Sequence, residues 1–411
     1  MLAVANERSR KVYLHVGLHK SGTTYLQGAL RGNRAELAKQ GVLVPHGPAG
    51  GIFRAVDDVQ GRRPRDVEDS RIVGAWQALV TEIGQSDLPR VVISDERLSL
   101  SGLGTVDRIR RALEDTELHV IVTVRDLARA LVSSWEEAVR GTATWTWQEY
   151  VDAVRDPRRE GTNPARGFWV RQNLAQICAT WETVVPRERM HIVTVPPRGA
   201  DPRELLRRFA GCLGVDAGRL VEQPPAANEA TGVAGTEVIR RLNLRLGDRL
   251  NQRQYARCIR GVIAPELAER GTRGVLPRED LEWATARAEQ DRAMLRDRGY
   301  DIVGDLDDLL PTAPDGRRPD DVNQDELVDA ALDALAAMTV KYGRTRATAA
   351  APTDDRGPAA GSRLRAAAFR ARRAVLDRGD RGGPLGRLVS VGYRLRALRQ
   401  ERAASVARRK R

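Results

Sequence analysis

Residues 12–26 read VYLHVGLHKSGTTYL, an alternating β-branched run coupled to a turn of small residues that opens a helix. Residues 11–18 (KVYLHVGL) have the alternation of a first strand. A helical pattern follows from Gly22 to about Lys39 and is stopped by Gly41. A strand that ends in a tight turn at a helix start presents several backbone N–H groups to one point. The helix end adds about half a positive charge there. Gly22 permits close backbone approach, Thr23 and Thr24 bring hydroxyls, and Lys20, just ahead of Ser21, supplies a full charge from within the loop. Such a loop suits an anion with several terminal oxygens. It is not a Walker loop, G-x-x-x-x-G-K-[ST], because Thr23 stands where the lysine belongs and the lysine has moved to position 20.

Outward from this loop, residues 91–94 (VVIS), 119–124 (HVIVTV) and 191–195 (HIVTV) are short, nearly continuous apolar runs. Strands buried on both faces of a parallel sheet read this way. Helical patterns lie between them at 72–83, 127–140 and 173–183. Alternation of this kind predicts a three-layer α/β domain with a central parallel sheet and right-handed crossovers. From about residue 202 the pattern is helix-rich, through 204–213, 236–250 and 279–298. A last helix starts at Asn323, with Glu326 as its capping-box partner. The expected domain runs over 11–342, and 343–411 forms an Ala/Arg-rich linker (345–362) and a basic tail. Residues 386–411 can form a basic helix with Leu388, Val391, Leu395 and Leu398 on one face.

The chain has 411 residues, 41% hydrophobic and 30% charged, with a net charge of +13. That charge is local. Residues 341–411 hold 20 Lys/Arg against 5 Asp/Glu, so residues 1–340 carry a net of −2. The basic balance therefore does not mark the body as a nucleic-acid binder, and no specific nucleic acid is expected. Cys178, Cys212 and Cys258 are widely spaced with no C-x-x-C pair, which speaks against a disulfide framework or a zinc finger. No apolar stretch approaches the ~20 residues of a membrane span, and residues 1–10 lack a signal peptide's apolar run. A cytoplasmic protein is expected. The basic tail is either a solubilising segment or a contact to anionic lipid or polyanion at the inner membrane face.

Lys20-Ser21-Gly22-Thr23-Thr24 at the end of a first strand resembles the 5′-phosphosulfate loop of sulfotransferases that use 3′-phosphoadenosine-5′-phosphosulfate (PAPS). The common family pattern Y-P-K-[SA]-G-T-[TS]-[WY] is met with His19 in place of proline and Tyr25 at the aromatic position. A second motif of that family is an arginine ending a buried strand with a serine eight residues on. Here these are Arg125 and Ser133, in VIVTVRDLARALVSSW. The arginine offers a fixed fork of donors and the serine a hydroxyl to one phosphate. Alone, an arginine at a strand end is more commonly one half of a surface ion pair. Leu127 replaces the family's usual proline after R-[DN]. The resemblance covers roughly residues 11–311, including Leu213-Gly214-Val215 and GYDIVGDLDDLLP at 299–311. It implies a P-loop-like fold, PAPS as co-substrate and Lys20 assisting departure of the phosphate; sulfuryl transfer needs no metal, and no clustered His/Asp/Glu set stands in the sequence to hold one.

Sulfuryl transfer to a hydroxyl, or less readily an amine, needs a base. Residues 91–94 run into Asp95 and Glu96, and alternation sends one of the two carboxylates toward the cleft. Glu96 is the first choice, since carbohydrate-acting relatives carry a glutamate there. Asp95 is the second, and pairing of Glu96 with Arg97 is the structural alternative. His19 and His46 are weaker candidates, and His15 reads as a core histidine. VVISDE also mimics a Walker B strand, which keeps a P-loop nucleotide hydrolase or kinase open. A non-catalytic polyanion- or membrane-surface-binding protein is the third reading. Five of seven tryptophans fall between 135 and 181, and Trp135 or Trp145 can wall an acceptor pocket. The acceptor is a small molecule, carbohydrate or glycolipid.

Overall fold

The computed structural model describes residues 9–48, 51–62, 71–156, 158, 162–222, 230–268, 272–312 and 316–349. The chain divides into two units, Met1–Gly343 and Arg344–Arg411, and the first is described below. Six strands form one all-parallel sheet: β1 (Lys11–His15), β2 (Val42–Leu43), β3 (Arg90–Ser94), β4 (Glu117–Val124), β5 (Met190–Thr194) and β6 (Asp301–Val303). Their spatial order is β2-β3-β1-β4-β5-β6. This is the expected three-layer, P-loop-like α/β architecture. β1 lies between β3 and β4, with Leu14 opposite Ile93 on one side and Val120 on the other. The chain leaves β1 in one direction and resumes on its other flank at β4. The crevice beyond the strand ends at such a reversal is where open α/β sheets bind ligands.

Helices α1 (Thr23–Gly32) and α2 (Arg34–Lys39) follow β1; α3 (Ile52–Val59) and α4 (Ala75–Gly84) precede β3, and α5 (Leu103–Ala112) leads to β4. Between β4 and β5 lie α6 (Leu127–Arg140), α7 (Trp147–Arg155), α8 (Asn163–Gln172) and α9 (Leu174–Glu182). After β5 come α10 (Glu204–Cys212), α11 (Gly232–Leu246), the short α12 (Gln252–Tyr255), a π-helical stretch Ala256–Ile263, α13 (Ala264–Ala268) and α14 (Arg278–Arg298). The last helix is α15 (Gln324–Ala349).

Strand alternation sorts the core into two layers. Val12, Leu14, Val91, Ile93, Val120 and Val122 pack on one face with residues of α3, α4, α5 and α9. Tyr13, Val92, Ile121 and Val193 pack on the other with α1, α2 and α10. Each such side chain, fully buried, stabilises the fold by about 1.5–3 kcal/mol. A third cluster, from α6 to α8 and from α11 to α15, forms a helical annex beside the cleft. Cys178, Cys212 and Cys258 are free thiols.

Several sequence expectations are corrected. The helix expected over 22–39 is two, because Asn33 ends α1 and starts α2. Its amide donates to the Ala29 and Val221 carbonyls, a capping use that competes with helix continuation. The 72–83 helix begins at Ala75, behind Gly74 at φ 82°. The 236–250 helix starts earlier and stops at Leu246, before Gly247 at φ 53°. β2 and β6 were not anticipated. β6 comes from the helix-rich part and pairs with β5, so that part completes the sheet as well as covering it. Glu326 does cap Asn323 reciprocally. α15 then continues through Ala349, into the stretch read as a linker from residue 345. The tail and its amphipathic stretch at 386–411 lie outside the described residues.

Candidate active site

A cleft of about 1560 Å³ opens at the C-terminal ends of β1, β3 and β4. Lys20, Gly22, Thr23, Thr24, Glu96, Arg125 and Ser133 all line it. Beyond β1 the chain stays hydrogen-bonded along β4, from Val16 N to Ile121 O (3.0 Å) and from Leu18 N to Thr123 O (2.7 Å). It then turns, with Lys20 at φ 63° and Gly22 at φ 86°, into the first turn of α1. Ser21 does not face the cleft. It is fully buried, its hydroxyl 2.5 Å from both the Leu18 carbonyl and the Thr123 hydroxyl, so it fastens the loop to β4 and offers an incoming anion only its backbone.

Gly22 is required twice over. Its left-handed backbone disfavours any side chain, and a Cβ would sit 2.6 Å from Leu205 Cδ2 on α10. Gly22→Ala is expected to lower the unfolding free energy by about 1–3 kcal/mol, from backbone strain and overpacking. Urea denaturation checks this; an unchanged midpoint would mean that the turn tolerates a side chain.

Arg125 reaches the loop. Its Nη1 donates to the Lys20 carbonyl at 3.0 Å, while its Nε is buried with no partner among the described residues. Burial, then the charges of Arg129, Arg198 and Arg273, push its pKa down to about 10 against the pull of Asp126. A guanidinium so crowded by like charge gains from any anion that enters. Ser133 sits two turns into α6, with its hydroxyl donating to the Arg129 carbonyl at 2.7 Å. Arg129 itself is held by Asp126 and the Pro196 carbonyl.

The two adjacent carboxylates divide their work. Asp95 is buried, caps the 3₁₀ turn Glu96–Leu100 through Arg97 N (3.0 Å) and pairs with the Arg97 guanidinium. Arg97 is held by Asp57 as well, at 2.9 Å. Glu96 is thereby left to the cleft, where Gln27 Nε2 donates to its Oε2 at 2.7 Å. The structural pairing with Arg97 thus belongs to Asp95.

Lys20 Nζ lies 3.3 Å from Glu137 Oε2, an oxygen that also accepts from Arg140 Nη2 at 3.0 Å. Against some desolvation, Lys20 and Arg140 draw down the pKa of the exposed Glu137, while burial raises that of neighbouring Glu136. Neither glutamate was anticipated. The signal was present: Ser133, Glu136, Glu137 and Arg140 are spaced to share one face of α6. Arg198 and Arg273 arrive from distant loops, and nothing local in the sequence marks them.

His15 is a core histidine, with Nδ1 2.7 Å from Ser94 Oγ and Nε2 3.1 Å from Thr123 Oγ1. Burial lowers its pKa to about 3. His19 lines the cleft, and burial, Arg171 and Lys20 likewise lower its pKa to about 3. His46 is largely exposed beside Glu82 and away from the cleft lining. A histidine kept neutral on folding is protonated more readily in the unfolded chain. Its contribution is therefore complete above about pH 6.5 and is lost as pH falls toward 3. His15 alone is expected to withdraw about 1.4 kcal/mol per pH unit over that window. Urea unfolding at pH 7.0 and 4.5 measures this, and His15→Gln is expected to show a shallower loss; identical losses would contradict it.

Trp135, Trp147 and Trp181 are core residues, each at most 1% exposed. Trp135 is thus corrected from pocket wall to helix anchor, its Nε1 donating to the Trp145 carbonyl at 3.2 Å. Trp145 does line the cleft. Among the described residues, no group of three His, Cys, Asp or Glu side chains is placed to hold a metal. Among those residues, too, no helix is long and apolar enough to cross a membrane.

No protein-family profile matches the chain, and no curated protein is similar to it. Among solved structures, it is similar to a sulfotransferase from Alicyclobacillus acidocaldarius at 17% identity and a TM-score of 0.36. That match covers 61% of this chain and 100% of the other. It is also similar to the sulfotransferase domain from the curacin biosynthetic pathway, at 16% identity and a TM-score of 0.29. There the cover is 51% of this chain and 74% of that domain.

Proposed function

We propose that the protein is a sulfotransferase that moves a sulfuryl group from PAPS to a hydroxyl of a small molecule or glycan. The observation that carries this reading is the hydrogen bond from Arg125 to the Lys20 carbonyl. It joins the anion loop on β1 and the arginine ending β4 into one cleft, as a donor with phosphate at both ends of its ribose requires. The unpartnered, buried Arg125 Nε fits the same group.

In this reading the first turn of α1 and Thr23 and Thr24 cradle the 5′-phosphosulfate. Arg125 and Ser133 hold the 3′-phosphate. The acceptor hydroxyl gives its proton to Glu96 as its oxygen bonds to sulfur. The bond from sulfur to the phosphate oxygen breaks in line, and Lys20 takes up the charge on that oxygen. Lys20 must exchange Glu137 for the donor as it does so. Glu96→Gln is expected to bind adenosine 3′,5′-bisphosphate normally and to turn over about 10²–10⁴-fold more slowly; normal turnover would move the base elsewhere.

The test of the function is chromatographic detection of adenosine 3′,5′-bisphosphate released from PAPS, without divalent metal, across an acceptor panel. Acceptor-dependent release supports the proposal. Magnesium-dependent ATP hydrolysis in its place would favour a nucleotide hydrolase.

A further inference from the structure

The cleft is far more basic than the body that contains it. Among the described residues that line it, Lys and Arg number eleven and Asp and Glu four. Residues 1–340 as a whole carry a net of −2, so positive charge has been gathered into the cleft. Arg97 among those cations is already matched by Asp57 and Asp95, and a PAPS-like donor brings roughly four negative charges to the rest.

The arginines fall into two groups. Arg129, Arg198 and Arg273 are the cations whose charge acts on Arg125, at the 3′-phosphate end. Among charged groups Arg171 acts most on His19, the loop residue that precedes Lys20. Arg171 and Arg166 both belong to α8, which packs against the 3₁₀ turn carrying Glu96. Gln172 of the same helix donates to the His19 carbonyl at 2.7 Å, which fixes α8 against the loop. Neither Arg166 nor Arg171 forms an ion pair among the described residues. Arg171 Nη1 donates to Gly167 O at 2.6 Å and Arg166 Nη2 to Asn163 Oδ1 at 2.8 Å, each within its own helix. Both line the cleft and keep guanidinium donors for a ligand.

We propose that the acceptor is itself an anion, a phosphate- or carboxylate-bearing hydroxyl compound whose charged group is held by Arg166 and Arg171. This inference rests on the sulfuryl-transfer reading. The guanidinium forks match either oxyanion bidentately, and the Arg- and Lys-rich lining of the cleft raises the local concentration of such a substrate. The α8 arginines set its orientation, holding the anionic end at α8 while its hydroxyl is presented to Glu96.

The test is calorimetry on the full chain already saturated with adenosine 3′,5′-bisphosphate, titrated in parallel with glucose 6-phosphate and glucose. Glucose 6-phosphate is expected to bind at least tenfold more tightly than glucose. Arg166→Ala with Arg171→Ala is expected to abolish that preference, with bisphosphate affinity within twofold of wild type. The double lysine variant, which keeps the charge, is expected to retain part of it. Equal or absent binding of the two sugars on a bisphosphate-loaded protein would overturn the anionic acceptor alone. Failure of the bisphosphate itself to bind would instead overturn the donor reading beneath it.

Discussion

Lys20→Ala is expected to lower turnover by about 10²–10³-fold while binding of adenosine 3′,5′-bisphosphate stays within a few fold of wild type. Lys20 sits in the turn, at φ 63°, with its ammonium toward the cleft and 3.3 Å from Glu137. Its charge matters most when the bond between sulfur and the phosphate oxygen breaks and that oxygen becomes anionic. A contact that strengthens only in the transition state affects the rate and spares ground-state binding. Paired calorimetry and single-turnover kinetics separate the two. A variant that loses affinity and rate together would assign Lys20 to binding only, and one that turns over normally would remove it from the reaction.

The second large effect concerns Arg125. Arg125→Ala is expected to cost about 10–150-fold in affinity for adenosine 3′,5′-bisphosphate, as fits the loss of hydrogen bonds to a charged group. Affinity for adenosine 5′-monophosphate, which lacks the 3′-phosphate, is expected to change little. The signature is the ratio of the two affinities, which falls toward one in the variant. Arg125→Lys, which keeps a charge but loses the fork, is expected to fall between. An equal loss for both nucleotides would mean that Arg125 holds the loop through the Lys20 carbonyl and contributes nothing specific at the 3′ position.

The central layers of the fold were legible because buried parallel strands write themselves as short apolar runs. β3, β4 and β5 are all of this kind, and β1 shows itself by alternation. β2 is two residues long and β6 is a three-residue edge strand, too short for any periodicity to register. Asn33 was hidden for a different reason. Its capping partners include Val221, 188 residues away, and no local window carries that contact.

In the site, the loop and the arginine eight residues before a serine were legible as motifs, since each lies on one continuous strand–turn–helix. What a motif does not carry is orientation. Ser21 reads like its neighbours but turns its hydroxyl into the sheet, because Thr123 on the adjoining strand is there to receive it. Asp95 and Glu96 are chemically alike, and only the Arg97–Asp95 pair, braced by Asp57, shows which of them Arg97 takes. The cations contributed by Arg198 and Arg273 depend on loops that follow β5 and α13, so they emerge only from the fold.

The most direct measurement of the shared donor cleft is calorimetry of the wild-type chain, free of divalent metal, with adenosine 3′,5′-bisphosphate and adenosine 5′-monophosphate. The account predicts tighter binding of the bisphosphate, by about 10–150-fold. Equal affinities, or binding of neither nucleotide, would contradict it.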